Sequence, residues 1–228
     1  MRAENKTLVL SLGGSLIFPG RIDTFFLKNF KKIVLKFVRK GYRFVIYAGG
    51  GRLARNFQDA AGKIAQLKPE DKDWLGIYAT RLNALLLQRI FGQYAETQVM
   101  VDPTKHASFK KPVLIAAGWK PGWSTDYDAV LSAHALHIPL LINMTNVDYV
   151  YGKNPKKFKN AKPIKNMAWK ELRKIVGSGW KPGLNMPFDP VAAKAAEKIK
   201  LKVVILGRSL ANLSDFLAGK DFKGTTIS

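Results

Sequence analysis

Phe44-Val45-Ile46-Tyr47-Ala48-Gly49-Gly50-Gly51-Arg52-Leu53-Ala54-Arg55 is the stretch that decides the fold. Phe44 to Ala48 is apolar and β-prone, and Arg52 to Ile64 has helical spacing, so three consecutive glycines join a strand to a helix. A helix start leaves several backbone N–H groups without intrahelical partners. With no Cβ in the way, such a turn can touch a phosphate. Arg52 and Arg55, three apart, share one side of the first helical turn. Two readings fit: an anion cradle, or a tight βα turn that binds nothing.

A second turn of the same kind shifts the balance. Thr7 to Leu12 is another apolar strand, closed by Gly13-Gly14-Ser15. Neither turn has the spacing of a dinucleotide fingerprint or a P-loop. Two strand-to-glycine turns in an α/β chain can face each other across the carboxyl edge of a sheet, where ligands of open α/β folds bind. Two phosphate-bearing ligands meeting there would suit a phosphotransferase.

Outward from these turns, strands and helices alternate. Helices are expected at Ile22–Lys40, Trp74–Phe91, Asp126–His137, Ala168–Val176, from Asp189 and at Leu210–Leu217. Strands are expected at Tyr42–Ala48, Val99–Val101, Pro112–Ala117, Pro139–Met144 and Lys202–Leu206, with a last short strand near the end. The order predicts an α/β fold with a mostly parallel central sheet sandwiched by helices. The polar, lysine-rich stretch 146–166 reads as a connection, dividing residues 1–145 from a smaller lobe at 146–228. Asp189 is placed to cap its helix with Pro190 in the first turn.

Composition narrows the function classes. The chain has 228 residues, 47% of them hydrophobic, which is ample for a packed core. No apolar run approaches the ~20 residues needed to span a membrane. The opening MRAENK runs straight into a strand with no room for a signal peptide, so a cytoplasmic location is expected. The absence of cysteine excludes disulfides, thiolate zinc sites and cysteine nucleophiles. Lys and Arg number 38 against 16 Asp and Glu, a net charge of +22 that favours anionic partners. Lys28–Lys40 and Lys153–Lys174 are the densest basic segments; in the first, bases alternate with apolar residues, as on a solvated helix face or a nucleic-acid patch.

Other constellations are weaker. His134 and His137 lack a third ligand, so no metal site is assigned to side chains, and no Ser-His-Asp set or carboxylate pair stands out. GWKPG occurs at Gly118–Gly122 and Gly179–Gly183 without forming a repeat architecture. The first copy leads into Ser124-Thr125-Asp126 at a helix start, which suits either plain capping or a bound phosphate. Asp148, just past a strand, suits an Asx turn or a ligand at the carboxyl edge.

Taken in order, several motifs resemble the amino-acid kinase superfamily, and within it the archaeal-type UMP kinases. They are Leu12–Ser15, Gly49–Arg55, Asp73 with Gly76–Ala84, Pro121–Asp126, Thr145–Asp148 with Tyr151, Asp189–Lys194 and Gly224–Ile227. The resemblance implies transfer of the γ-phosphoryl of Mg-ATP to UMP, with Mg2+ as cofactor, in a homohexamer. It implies an acceptor site of Gly50, Asp73, Trp119, Lys120, Pro121, Gly122, Trp123, Ser124 and Thr125. It assigns ATP to Gly14, Ser15, Gly51, Arg55, Thr145, Asn146, Tyr151 and Asn154, with Arg55 and Asp126 as catalytic groups. Ser11 and Ser15 occupy positions where many relatives carry lysine, which leaves Arg55 first and Lys120 second as the cation facing the transferred group. Tyr149 replaces a small residue, Asn154 an aspartate, and Trp119 and Trp123 present a wider apolar face than uracil needs. Three alternatives stay open: a sister kinase with another acceptor, a catalytically weakened nucleotide-binding homologue, and a nucleic-acid binder working through residues 153–174.

Overall fold

The computed structural model describes residues 6–105, 109–153, 158, 160–177, 179 and 186–228. The chain opens with β1 (Thr7–Leu12), the short helix α1 (Gly14–Ile17), α2 (Thr24–Val38), β2 (Arg43–Ala48), α3 (Gly51–Ile64) and α4 (Pro69–Phe91). A 3-10 turn at Gly92–Tyr94 leads to β3 (Val113–Ala116), α5 (Thr125–Ala135) and β4 (Leu140–Met144). The small strands β5 (Val150–Tyr151), β6 (Pro163–Ile164) and β7 (Asn166–Met167) precede α6 (Trp169–Val176) and α7 (Pro190–Lys198). Strand β8 (Lys202–Leu206), α8 (Leu210–Leu217) and β9 (Gly224–Ile227) close the chain.

The principal sheet has strand order β3-β2-β1-β4-β8-β9-β7, parallel except where β9 runs against β8. From β1 the chain steps outward through β2 and β3, then returns to lay β4 on the other side of β1. That reversal is the topological switch point where ligands of open α/β sheets bind. The sheet continues across the 145/146 boundary, because β4 pairs with β8 from Leu140↔Lys202 to Met144↔Leu206.

Period-two alternation along the strands separates two cores. Leu10, Leu12, Phe44, Ile46, Ile142 and Val204 pack under α2, α4 and α8 through residues such as Phe30, Leu87 and Leu213. Val9, Val45, Tyr47, Leu141 and Val203 pack against α5, α6 and α7 through Val130, Leu172 and Ala193. Helices therefore cover both faces, which is why the strands are nearly continuous apolar runs.

Several elements sit where residue chemistry directs them. Asp189 accepts from Ala192 N at 2.7 Å with Pro190 in the first turn of α7. Helix α4 begins at Pro69, ahead of the expected Trp74, because Lys68 N donates to Asp71 Oδ2 at 2.9 Å and Pro69 suits a first turn. The expected strand Val99–Val101 is reduced to an isolated bridge, Met100↔Ala116. Within the stretch expected to be a connection, β5 pairs with β6 as a small antiparallel ribbon. The second GWKPG copy, apart from Gly179, and His106 lie outside the described residues. On α2, Lys28, Lys32 and Lys36 face solvent while Phe26, Phe30, Val34 and Phe37 are buried.

Candidate active site

Both glycine turns lie at the carboxyl edge and are stitched to their neighbours by backbone. Gly13 N donates to Met144 O at 2.8 Å, Gly49 N to Leu12 O at 2.9 Å, and Thr145 N to Leu206 O at 2.8 Å. The turns touch: a Cβ on Gly49 would lie 2.6 Å from Gly14 N, and one on Gly14 would meet the backbone of Gly49, Gly50 and Gly51 inside contact distance. Gly51 also has φ +59°, in the left-handed region that glycine occupies without strain. Only glycine allows this approach.

A cleft of about 200 Å3 opens beside the second turn. Its walls include Gly50, Gly51, Arg55, Asp73, Trp123, Ser124, Thr125 and Asp126, gathered from three separate stretches of sequence. It also takes in Thr80, Gln58, Met186 and Asp189, which sequence reasoning did not assign to a site. Arg55 stands exposed on α3 at its wall. Ser124 caps α5, accepting from Tyr127 N at 3.1 Å, so the expected capping is present at a helix start that also faces the cleft.

Helix α4 holds the two sides together. Buried Asn83 donates from Nδ2 to Gly49 O at 2.8 Å, gripping the glycine turn. Gly118 N donates to Thr80 Oγ1 at 2.8 Å, Arg81 Nη2 donates to Trp119 O at 3.0 Å, and Gly122 N donates to Asp73 Oδ2 at 2.7 Å. The loop 118–123 is thus anchored along its length. Polar residues at buried positions of a long helix, Thr80 and Asn83, were the signal that could have marked them.

Carboxylates gather on the opposite wall. Asp126 Oδ1 accepts from Ser11 Oγ at 2.9 Å, and its Oδ2 from Asp189 N at 3.3 Å. Ser11 therefore puts a hydroxyl against Asp126. Burial first, and then the charge of Asp189, push the Asp126 carboxyl up to about 6. Asp189 is also raised, chiefly by burial. Behind them Asp128, fully buried, accepts from Trp119 N at 3.1 Å and is pushed by burial to about 8. Among the described residues the ion pairs are Arg173–Glu197 and Arg208–Asp23, so none of these three acids has a paired cation.

The remaining expected site residues lie elsewhere. Lys120 places Nζ 4.0 Å from the Trp119 ring centroid and 4.8 Å from that of Trp123, so its charge rests on the aromatic loop rather than in the cleft. Trp119, Lys120, Pro121 and Gly122 form that loop but are not among the cleft residues. Gly14 and Ser15 abut Gly51 from the other turn. Thr145 and Asn146 follow β4, and Tyr151 lies in β5 beside Tyr149, away from the cleft. Asn154 lies outside the described residues. Asp148 is exposed.

Paired glycine turns at a topological switch point, a facing helix start and a wall of carboxylates define a phosphate-handling α/β protein. Comparison with known proteins agrees. The model of the amino acid kinase family matches residues 6–207. The uridylate kinase of Pyrococcus abyssi is 35% identical over 225 residues, covering 96% of this chain and 98% of that one. That of Thermoplasma volcanium is 34% identical, covering 98% of each. The crystal structure of uridylate kinase from Archaeoglobus fulgidus superposes with a TM-score of 0.80 at 31% identity, over 98% of this chain and all of that one. This chain belongs to the amino acid kinase family.

Proposed function

We propose that the chain is a uridylate kinase, transferring the γ-phosphoryl of Mg-ATP to UMP to give UDP and ADP. The observation that carries this reading is the contact between the Gly14 and Gly49–Gly51 turns beside a cleft faced by Ser124 and Thr125. It is supported by end-to-end similarity to archaeal uridylate kinases. UMP occupies the cleft, with its phosphate at Gly50 and the Ser124–Thr125 helix start, its ribose toward Asp73 and its base toward Trp123. ATP lies across Gly14, Ser15 and Gly51, with its nucleoside toward Thr145, Asn146 and Tyr151. Residues 1–145 then hold the acceptor and residues 146–228 the donor nucleoside.

The nucleophile is an oxygen of the UMP phosphate, which needs no general base. As its bond to the γ-phosphorus forms, the bond from that phosphorus to the β-γ bridging oxygen breaks and ADP leaves. Catalysis of such a step rests on alignment and charge compensation. Glycine N–H groups align the phosphates, and Arg55 supplies the cation that faces the developing charge. Asp126, tied to Ser11 and to the α7 start, fixes how the carboxylate wall meets the phosphates. The residues suit magnesium: two carboxylates without paired cations, Asp126 and Asp189, are the usual protein contribution to an ion otherwise held by phosphate and water. An ion held by Asp126 and Asp189 would supply charge compensation for the phosphates. The protein works as a homohexamer in the cytoplasm, a setting consistent with exposed Trp74, Tyr78, Leu82 and Leu85 along α4; among the described residues no helix is long and apolar enough to cross a membrane.

Phosphorus NMR of ATP and UMP mixed with the protein tests the reading. UDP and ADP resonances growing together support it; ATP hydrolysis without UDP overturns it.

A further inference from the structure

The cleft leaves most of the +22 charge unexplained, and helix α2 concentrates it in one place. Lys28, Lys32, Lys36 and Lys40 recur every fourth residue from within α2 to just past its end, and all four are exposed. At 1.5 Å rise per residue they form a row with ~6 Å between ammonium-bearing turns. Arg39 is exposed close by. Like charges at this spacing repel and weaken a helix, so the row needs a counter-charge from outside or a reason to be tolerated.

Among the described residues the fold supplies no counter-charge. Helix α2 contains no acidic residue, and its capping Asp23 is occupied by Phe26 N and by Arg208. On the neighbouring α8, Lys36 Nζ reaches the Ser214 hydroxyl at 3.3 Å, and Asp215 forms no ion pair with the row. The one large apolar side chain on this face is Phe25, 77% exposed at the head of the row. Its helical position lies between those of Lys28 and Lys36, whereas Phe26 and Phe30 turn inward.

Lys36 and Lys40 rest against the Phe37 ring, but among the described residues no member of the row has an acidic partner. An exposed aromatic ring beside such a row of cations is the combination that binds single-stranded nucleic acid. The cations track the backbone phosphates, and the ring stacks on an unpaired base. We infer that the solvent face of α2, from Phe25 to Lys40, is a binding surface for single-stranded nucleic acid, separate from the nucleotide cleft. Phe25 discriminates between nucleic acid and other polyanions, since phosphate chains and lipid headgroups offer no base to stack.

The test uses the full-length protein and a labelled single-stranded oligouridylate in fluorescence anisotropy from low to high salt. Binding should weaken with salt, and combined Lys28→Gln, Lys32→Gln and Lys36→Gln should reduce the log–log slope by about 2, the contribution of three phosphate contacts on a single strand. Phe25→Ala should weaken oligouridylate binding roughly tenfold while leaving inorganic polyphosphate binding unchanged. Lys170→Gln, Lys174→Gln and Lys198→Gln remove the same charge from α6 and α7 and should leave the affinity within twofold. Kinase turnover of the α2 variants reports that they are folded. Equal losses from both triple variants, an unchanged slope, an inert Phe25→Ala, or tighter binding to anionic vesicles than to the oligonucleotide would each overturn the assignment.

Discussion

Gly49→Ala is the substitution in which geometry speaks most directly. Gly49 has no left-handed φ, so alanine meets no backbone strain there. The whole effect comes from the added methyl, which would stand 2.6 Å from Gly14 N and 3.3 Å from Leu12 O. Restoring ordinary van der Waals contact requires the turns to part by roughly 0.8 Å. Overpacking of this kind costs about 1–3 kcal/mol of stability. The catalytic loss should be larger in proportion, because a misplacement near 1 Å between aligned groups costs ~100-fold in rate. The Asn83 bond to Gly49 O at 2.8 Å resists relaxation toward α4. Steady-state kinetics with coupled ADP detection should therefore give a kcat about 100-fold lower with a modest change in melting temperature. Gly62→Ala on α3, where a Cβ meets nothing within 4 Å, should leave kcat unchanged and stabilise the helix by about 0.5–1 kcal/mol. A Gly49→Ala enzyme within threefold of the parent would refute the claim that contact between the two turns aligns the phosphates.

Three further outcomes follow from the same geometry. Arg55→Ala should lower kcat by ~100- to 1,000-fold with little change in melting temperature, and Arg55→Lys should recover part of it, as measured by initial rates. Ser11→Ala removes the hydroxyl that holds the Asp126 carboxyl down, so the acid limb of the kcat–pH profile, near pH 6, should move to higher pH; an unmoved limb separates Asp126 from the reaction. Asp128, near 3.8 when unfolded and about 8 when folded, keeps a proton in the native state that the unfolded chain loses. Stability should thus fall as pH rises from about 4 to 8, by up to about 1.4 kcal/mol per unit from this group, and level off above it. Calorimetry of Asp128→Asn should show a shallower decline than the parent; parallel declines would contradict the assignment.

What the sequence disclosed followed from local chemistry. β1 and β8 fall on their expected residues because each is an apolar run bounded by a glycine, and α7 begins where Asp189-Pro190 directs. The cleft residues Gly50, Asp73, Ser124 and Asp126 were legible as motif positions, since glycine turns and helix caps carry their function in local backbone shape. The carboxylate wall was not. Ser11 and Asp126 are 115 residues apart, and Asp126 and Asp189 are 63 apart, so their meeting depends on β1, α5 and α7 converging at one sheet edge. Lys120 illustrates the converse: its charge suits the cleft, yet two nearby indoles hold it outside. Short pairings such as β5 with β6 escape a reading based on periodicity because two residues carry no period.

Acceptor choice is tested most directly by turnover measured as ADP release with UMP, CMP, AMP and acidic metabolites at equal concentration. A uridylate kinase gives clear UMP-dependent turnover exceeding that on every other acceptor, and this turnover collapses in Arg55→Ala. Absent turnover on UMP, together with robust turnover on AMP or a carboxylate, would contradict that activity and would assign the Trp123-lined cleft to a different acceptor.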